Sequence, residues 1–263
     1  MTEIDLTMRD IYSARARIAP IARKTPLISS PALSELTGSE VTLKLECLQE
    51  TGSFKPRGAA NKILSLGQGA RQRAVITISS GNHGRALAYV ARRLGLRAVV
   101  CLPDTVPANK REAIQKLGAE VVVLGSTYDE ANKGALRLVE KEGLEMIHPY
   151  DDPVVIAGQG TIGLELLEEF PDVDTVVIPL SGGGLLGGIA FALKSADPKI
   201  HVVGAMMERG PAMVESLRAG RLVDIVEEPT LADALAGGII PNKYTLEPVS
   251  YTHLRAHETA RHI

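Results

Sequence analysis

The sequence predicts an α/β protein built on open, doubly wound parallel sheets. Short runs rich in valine and isoleucine recur along the chain, and most are followed by a stretch with the pattern of a helix. Strands that are apolar throughout are typical of parallel sheets, whose helical crossovers cover both faces. Segments rich in glycine and polar residues follow these strands or precede helices, which is where open α/β sheets bind ligands.

The predicted elements alternate regularly from residue 73 onward. Strands are predicted within Arg73–Ser80, Arg97–Pro103, Glu120–Ser126, Glu145–Pro149, Asp174–Ser181 and Lys199–Met206. Helices are predicted at Thr7–Ile21, His83–Leu94, Pro107–Leu117 and Tyr128–Glu142, and further helical sequence follows the last two strands. Proline at the start of the third helix suits a first turn.

Composition narrows the class of function. The chain has 263 residues, of which 45% are apolar and 23% charged, as in an ordinary globular protein of one or two domains. A net charge of −2 and 3% aromatic residues argue against a nucleic-acid partner. The sequence shows neither an apolar run of membrane-spanning length nor an N-terminal signal core. Two cysteines form no disulfide framework, so we expect a cytoplasmic protein.

Three segments could carry chemistry. The first, Thr51–Ala60, places Lys55 at the start of a helical stretch. A solvated lysine and a lysine amine held against a carbonyl cofactor both fit this spacing. The second, Ser79–Arg85, joins a strand to a helix; Ser80 or Asn82 could simply cap that helix, or the loop could bind a carboxylate or phosphate. The third, Pro179–Ile189, has three successive glycines, which suit either a flexible turn or a phosphate nest.

Two further patterns are weaker. Residues Gly158–Gly163 match G-x-G-x-x-G, but no strong strand precedes them and no ribose-binding acid follows at the usual distance, so a dinucleotide site is disfavoured. His253 and His257 have the i, i+4 spacing of helical metal ligands but lack the adjacent acid of a zinc-protease motif. They lie in residues 249–263, which break the α/β rhythm and resemble a translated sequencing-adaptor tail.

Together, Ser53–Ala60, Ser79–Arg85, Gly158–Leu164 and Ser181–Ile189 resemble the fold-type II pyridoxal-phosphate enzymes, whose fold is that of the tryptophan synthase β subunit. The threonine/serine dehydratase and serine racemase group is the most similar branch, and the resemblance runs from Asp10 to Leu246. It implies that pyridoxal 5′-phosphate is the cofactor and an amino acid the small-molecule substrate. It also implies a homodimer.

The resemblance assigns site residues. Lys55 would be the Schiff-base lysine and the base that takes the substrate's α-proton, with Phe54 beside the cofactor ring. Asn82 would bond the ring hydroxyl. The phosphate would be held by the backbone of four residues, Gly182, Gly183, Gly184 and Leu185. The substrate carboxylate would be received by Ser79, Ser80, Asn82 and His83, and Ser80 also matches the racemase serine that serves the face opposite lysine.

The implied reaction is β-elimination from a β-hydroxy amino acid such as threonine or serine, which gives a 2-oxo acid and ammonia. A serine racemase, a β-replacement synthase and a non-catalytic or inactive protein of this fold remain alternatives. A hydroxyectoine-pathway dehydratase is another, because Met207–Met213, Leu231–Ile240 and Asn242–Leu246 resemble that subgroup. Met206 stands where many relatives carry a metal-ligating glutamate, and Glu208 is displaced, so we expect no metal site. Asp233-Ala234 replaces the usual Asp-Gly.

The resemblance also implies two lobes with the cofactor between them. The large lobe would comprise residues 1–72 and 150–248, and the small lobe residues 73–149. Family members continue past the position of Leu246 with a strand that supplies a partner for the pyridine nitrogen, and no residue here can be assigned that role. We therefore expect the chain as written to be unstable or poorly active.

Overall fold

The computed structural model describes residues 5–208, 210–225, 230–236, 239 and 244–245, without the side chains of 70–72. In chain order its helices are α1 Met8–Ile18, α2 Pro31–Thr37, α3 Lys55–Ser65, α4 Gln68–Arg73, α5 Asn82–Arg93, α6 Ala108–Lys116, α7 Tyr128–Glu142, α8 Pro153–Glu169, α9 Gly184–Ala196 and α10 Ala212–Ala219. Within these described ranges, no helix has the length and apolar character needed to cross a bilayer.

The strands form three sheets in the described part of the chain. They are β1 Leu27–Ser29, β2 Thr42–Lys44, β3 Val75–Ile78, β4 Ala98–Leu102, β5 Glu120–Val123, β6 Glu145–Met146, β7 Thr175–Pro179 and β8 His201–Ala205. The largest sheet is parallel, with the order β5-β4-β3-β6. Strands β7 and β8 form a second parallel pair, and β1 and β2 an antiparallel one. The predicted α/β class with parallel sheets is confirmed.

Local chemistry explains where several helices begin. Thr7 caps α1 and forms a capping box with Asp10, so this helix starts where the sequence predicts, although it ends at Ile18 rather than Ile21. Thr127 caps α7, whose bounds match the prediction. Asp152 caps α8 by accepting hydrogen bonds from the backbone of Val154 and Val155. These caps satisfy backbone N–H groups that have no partner inside the helix.

Close packing of three helices explains the G-x-G-x-x-G pattern. Its glycines lie inside α8, not in a loop after a strand. A Cβ on Gly158 would lie 2.7 Å from the Arg57 carbonyl oxygen on α3, and one on Gly160 would lie 2.9 Å from the Gly188 carbonyl oxygen on α9. The pattern therefore lets α3 and α9 approach α8, which fits the expectation that it is not a dinucleotide site.

Helix α3 also links the regions that we expect to form two lobes. It packs against α8 on one side and α5 on the other, and its buried Ala59, Ala60 and Ile63 belong to the same apolar cluster as Val75 and Val100 of the four-stranded sheet. The first residue of α3 is Lys55. The packing of this helix thus places the lysine amine at the junction of the two regions.

Candidate active site

Lys55 occupies a partly buried position at the first turn of α3. Its Nζ donates a hydrogen bond to the Pro149 carbonyl oxygen at 2.8 Å and lies 5.2 Å from the centre of the Phe54 ring. Burial lowers the pKa of the Lys55 amine from its ordinary value of 10.5 to about 8. A substantial fraction of the amine is therefore neutral near pH 8, and only a neutral amine can act as a nucleophile or a base.

Two histidines lie near this amine and stay neutral. Burial and the neighbouring charge of Lys55 lower the pKa of His83 to about 3, and burial also lowers the pKa of His148. The Nε2 of His83 lies 3.0 Å from the Ile147 carbonyl oxygen, so this nitrogen carries the proton. The Nδ1 of His148 accepts a hydrogen bond from the backbone N–H of Asp151 at 2.7 Å. Neither ring adds a positive charge beside Lys55.

The segment His148–Asp152 brings an aromatic ring against the glycine loop, which comprises Ser181–Leu185. Tyr150 meets His148 edge-on, with ring centres 4.8 Å apart. A Cβ on Gly182 would lie 2.6 Å from the Tyr150 ring, and one on Gly184 would lie 2.7 Å from the Tyr150 carbonyl oxygen. Gly183 has a φ of 87° and caps α9. Glycine is thus required at Gly182 and Gly184 for the approach of Tyr150, and at Gly183 for the turn.

The serines and asparagine of the second segment are not used to cap α5. Gly81 occupies the N-cap position and makes no side-chain cap bond. Instead, the Ser80 hydroxyl lies 2.5 Å from the Tyr128 hydroxyl, and Arg85 donates a hydrogen bond to the Asn82 side-chain oxygen. The capping alternative is therefore wrong for Ser80 and Asn82. The Ser80 and Asn82 side chains follow the carboxyl end of β3, next to the first-turn N–H groups of α5.

A buried ion network holds the start of α3 in place. The Arg57 guanidinium donates to both oxygens of Glu46, at 2.9 and 2.8 Å, and to both oxygens of Glu165 on α8, at 2.5 and 2.9 Å. It also donates to the Thr161 hydroxyl at 3.1 Å. Arg57 lies two residues after Lys55, so this double fork fixes the helix that carries the amine.

Several of these partners are not among the residues that the sequence singles out. His148 and Tyr150 follow β6 directly, so the tendency of parallel sheets to bind ligands beyond the carboxyl ends of their strands could have drawn attention to them. No local pattern points to Tyr128 as a partner of Ser80. The same holds for the two glutamates that bind Arg57, because the two pairs it makes span 11 and 108 residues.

The predicted site residues have different surroundings. Lys55, Ser80, Asn82 and Gly183 lie in the segments described above. His83 is buried with 2% of its surface exposed, and its Nδ1 has no hydrogen-bond partner among the described residues. Phe54 and Leu185 pack at the edge of the apolar cluster formed by α9 and β7, as does Met206.

In the described part of the chain, no three histidine, cysteine or acidic side chains converge as metal ligands do. The segment 249–263, with His253 and His257, lies outside the described residues.

The chain belongs to the family of pyridoxal-phosphate dependent enzymes, whose family model matches residues 18–257. A putative threonine dehydratase of Sinorhizobium fredii is 50% identical over 244 residues, which are 92% of this chain and 74% of the relative. The L-threonine ammonia-lyase of Thermotoga maritima is 46% identical over 231 residues, which are 88% of this chain and 58% of that protein.

Solved structures agree with this family. Maize serine racemase superposes with a TM-score of 0.89 at 34% identity, over 93% of this chain and 74% of the racemase chain. The serine racemase of Dictyostelium discoideum superposes with a TM-score of 0.87 at 36% identity, over 94% of this chain and 79% of that racemase chain. A solved threonine deaminase superposes with a TM-score of 0.86 at 39% identity, over 94% of this chain and 81% of the deaminase chain. The expected family, fold and cofactor are thereby confirmed.

The residues of this chain fit pyridoxal phosphate. A buried amine of lowered pKa suits an imine link to an aldehyde. The hydroxyl oxygens of Thr51 and Ser53, close to Lys55 in sequence, are buried and have no hydrogen-bond partner in the described part of the chain. The glycine at positive φ before α9 exposes backbone N–H groups of the kind that bind phosphate. The amine suits the aldehyde of pyridoxal phosphate, and the hydroxyl and backbone N–H groups suit its anionic phosphate.

Proposed function

We propose that this chain catalyses β-elimination of water from a β-hydroxy amino acid such as threonine or serine, giving a 2-oxo acid and ammonia. The observation that carries the proposal is the Lys55 amine, whose pKa is lowered to about 8 and which donates to the backbone of the segment His148–Asp152. It lies near His83 of the asparagine loop Ser79–His83. Tyr150 of the segment His148–Asp152 contacts the glycine loop Ser181–Leu185. The names and the 50% and 46% identities of the two bacterial relatives support a dehydratase or ammonia-lyase.

The cofactor would be held by residues from separate elements. Lys55 would bind it covalently, Phe54 would lie beside its ring and Asn82 would donate to its ring oxygen. Gly182, Gly183, Gly184 and Leu185 would bind its phosphate through backbone N–H groups. When bound, pyridoxal phosphate supplies an electron sink for the bond that is cleaved at the substrate's α carbon.

The asparagine loop would orient the substrate. The hydroxyls of Ser79 and Ser80 and the first-turn N–H groups of Asn82 and His83 are donors that suit a carboxylate. The neutral His83 ring contributes only an acceptor, since its Nε2 already faces the Ile147 carbonyl. Fixing the carboxylate decides which bond to the α carbon is presented to Lys55. The neutral form of the Lys55 amine would then take the α-proton.

We propose that this site lies in a cleft between a large lobe, residues 1–72 and 150–248, and a small lobe, residues 73–149. In support, strands β3 to β6 make one sheet and β7 and β8 another. We also propose that the enzyme acts as a homodimer in the cytoplasm, without nucleic-acid or membrane partners. The free thiols of Cys47 and Cys101 suit a reducing compartment.

Serine racemisation is a second candidate, favoured by the contact between Ser80 and Tyr128. A racemase needs a proton donor on the face opposite lysine, and a serine hydroxyl paired with a half-exposed phenol could exchange protons with solvent. The similarity to maize serine racemase points the same way. Products distinguish the two activities: a 2-oxo acid with ammonia, or D-serine.

The test compares two lysine-to-arginine variants on the same helix. Lys55→Arg should abolish 2-oxo acid formation from L-threonine and L-serine, because a guanidinium neither forms an imine nor acts as a base near neutral pH. Lys62→Arg should retain activity, since Arg can keep the ion pair that Lys62 makes with Asp152 at 2.6 Å. Turnover by Lys55→Arg equal to that of Lys62→Arg would remove Lys55 from the mechanism.

A further inference from the structure

The side chain of Asn82 is held by a cation on its own helix. Asn82 is the first residue of α5, and Arg85 follows one turn later. The Arg85 Nη2 donates a hydrogen bond to the Asn82 side-chain oxygen. Asparagine has one amide oxygen, which accepts, and one amide nitrogen, which donates twice. A guanidinium on the oxygen therefore fixes which end of the amide faces away from Arg85.

The end that faces away is the donor. Among the described residues, the Asn82 Nδ2 has no hydrogen-bond partner. The amide is thus left with two N–H groups to offer to an acceptor that the protein does not itself supply. A hydrogen bond to a cationic donor polarises the amide, which makes those N–H groups stronger donors.

The position of Arg85 is otherwise unfavourable. It lies near the N-terminus of α5, where the helix dipole is positive and a cation is disfavoured. Arg57 and Arg97 each pair with two glutamates, whereas Arg85 has no carboxylate partner in the part of the chain that the structure describes. Its charge is therefore not neutralised by an ion pair, and its hydrogen bond goes to Asn82.

We propose that Arg85 is a positioning residue for the cofactor: it turns the Asn82 amide so that Nδ2 donates to the ring oxygen of pyridoxal phosphate. This inference rests on the proposed function, in which Asn82 donates a hydrogen bond to that oxygen. The hydrogen bond donated by Nδ2 favours the ionised form of the oxygen. Loss of Arg85 would leave Asn82 free to rotate its amide and present the wrong end.

The test measures cofactor affinity in a double-mutant cycle of Arg85→Met and Asn82→Ala. Dissociation constants come from titration of the visible absorbance of the bound cofactor, without turnover. Losing one hydrogen bond of ordinary strength should weaken binding about threefold to tenfold in either single variant. The double variant should bind no more weakly than Asn82→Ala alone, because Arg85 acts only through Asn82. Arg85→Lys, which retains a cationic donor, should keep part of the affinity.

Arg92→Met is the matched control, since Arg92 is on the same helix at its exposed far end. It should bind the cofactor like the parent, and urea midpoints should show that all variants are folded. Additive losses in the cycle, or unchanged affinity in Arg85→Met, would overturn the inference. So would a raised KM for the amino acid with unchanged cofactor affinity, since Arg85 would then serve the substrate. If Arg85→Met does not fold, Arg85→Ala replaces it in the same cycle.

Failure of the two proposals can be told apart. A parent protein that takes up no pyridoxal phosphate overturns both. Cofactor uptake with turnover in Lys55→Arg removes the proposed mechanism, and the binding cycle of Arg85 and Asn82 still reports on the inference. If the parent takes up the cofactor and its turnover depends on Lys55, but Arg85→Met binds the cofactor as tightly as the parent, only the inference about Arg85 is overturned.

Discussion

At the scale of single residues, burial decides the chemistry of Lys55. An exposed lysine is almost entirely protonated at neutral pH, whereas this amine is enclosed by Pro149, Phe54 and two neutral histidines. The desolvation that lowers its pKa to about 8 leaves a fraction of the amine neutral near physiological pH. The Arg57 network then holds the helix start that carries the amine, so that its position is set as well as its protonation.

The protonation of Lys55 predicts how cofactor uptake depends on pH. Only the neutral amine attacks an aldehyde, so the uptake rate should rise with pH through an inflection near pH 8 and level off above it. Rapid-mixing absorbance of apo protein with pyridoxal phosphate measures this rate, and Lys55→Ala should give no shift of the cofactor's absorbance band at any pH. An inflection at the ordinary lysine value of 10.5 would show instead that the amine is solvated.

The Arg57 network predicts a large loss of stability when its cation is removed. Arg57→Met would remove the guanidinium that pairs with Glu46 and leave Glu165 with Lys44 as its remaining cation, and breaking a buried pair in this way costs about 3–5 kcal/mol. Arg97 is the matched control, because it also binds two glutamates but lies at the surface, and Arg97→Met should cost less than about 1 kcal/mol. Urea unfolding compares the two. Similar losses would show that burial does not strengthen the Arg57 network.

At the scale of elements, the approach of α3 to α8 depends on the absence of a side chain. A Cβ on Gly158 would lie 2.7 Å from the Arg57 carbonyl oxygen and 2.8 Å from the Gly58 Cα, so Gly158→Ala must push the helices apart. We expect a loss of about 1–3 kcal/mol from overpacking. Gly69→Ala in α4 is the control, because nothing described lies within 4 Å of a Cβ there. Equal urea midpoints for the two variants would contradict this packing.

The elements that could be predicted are those with a clear pattern. Strands β3, β4 and β5 lie in apolar runs that no helix pattern competes for, and α7 is bounded by a threonine cap and a terminal glycine. Strands β1 and β2 have three residues each and are partly exposed, so their sequence carries no signal. Helix α8 is buried along most of its length and therefore lacks a polar face. Its glycines instead give a weak match to the G-x-G-x-x-G pattern of dinucleotide sites.

The same distinction applies to the site. Lys55, Asn82 and the glycine loop stand in contiguous motifs, so a resemblance could single them out. The partners Pro149, Tyr128 and Tyr150 meet those motifs only after folding, over separations of 94 residues for Lys55 and 48 for Ser80. Arg85 lies inside a motif, but its role depends on the orientation of an amide. A linear sequence shows which residues are present and leaves such orientations undetermined.

At the scale of the whole molecule, the site joins segments that are distant in the chain. Lys55 begins α3, Asn82 begins α5, Tyr150 follows β6 and Gly183 precedes α9. A cofactor that touches all four segments would bind the folded chain and not the unfolded one. Its binding free energy would therefore add to the stability of the entire fold.

Thermal unfolding with cofactor tests this coupling. Pyridoxal phosphate at one hundred times its Kd should add about 2.7 kcal/mol of stability, which is about 5–10 °C in Tm for a chain of this size. Pyridoxal at the same concentration should raise Tm less, because it lacks the phosphate that the backbone beside Gly183 is expected to bind. Lys62→Arg should behave like the parent, and Lys55→Arg should lose most of the shift. Equal shifts from both compounds would show that the glycine loop holds no phosphate, and that its glycines serve only the turn and the approach of Tyr150.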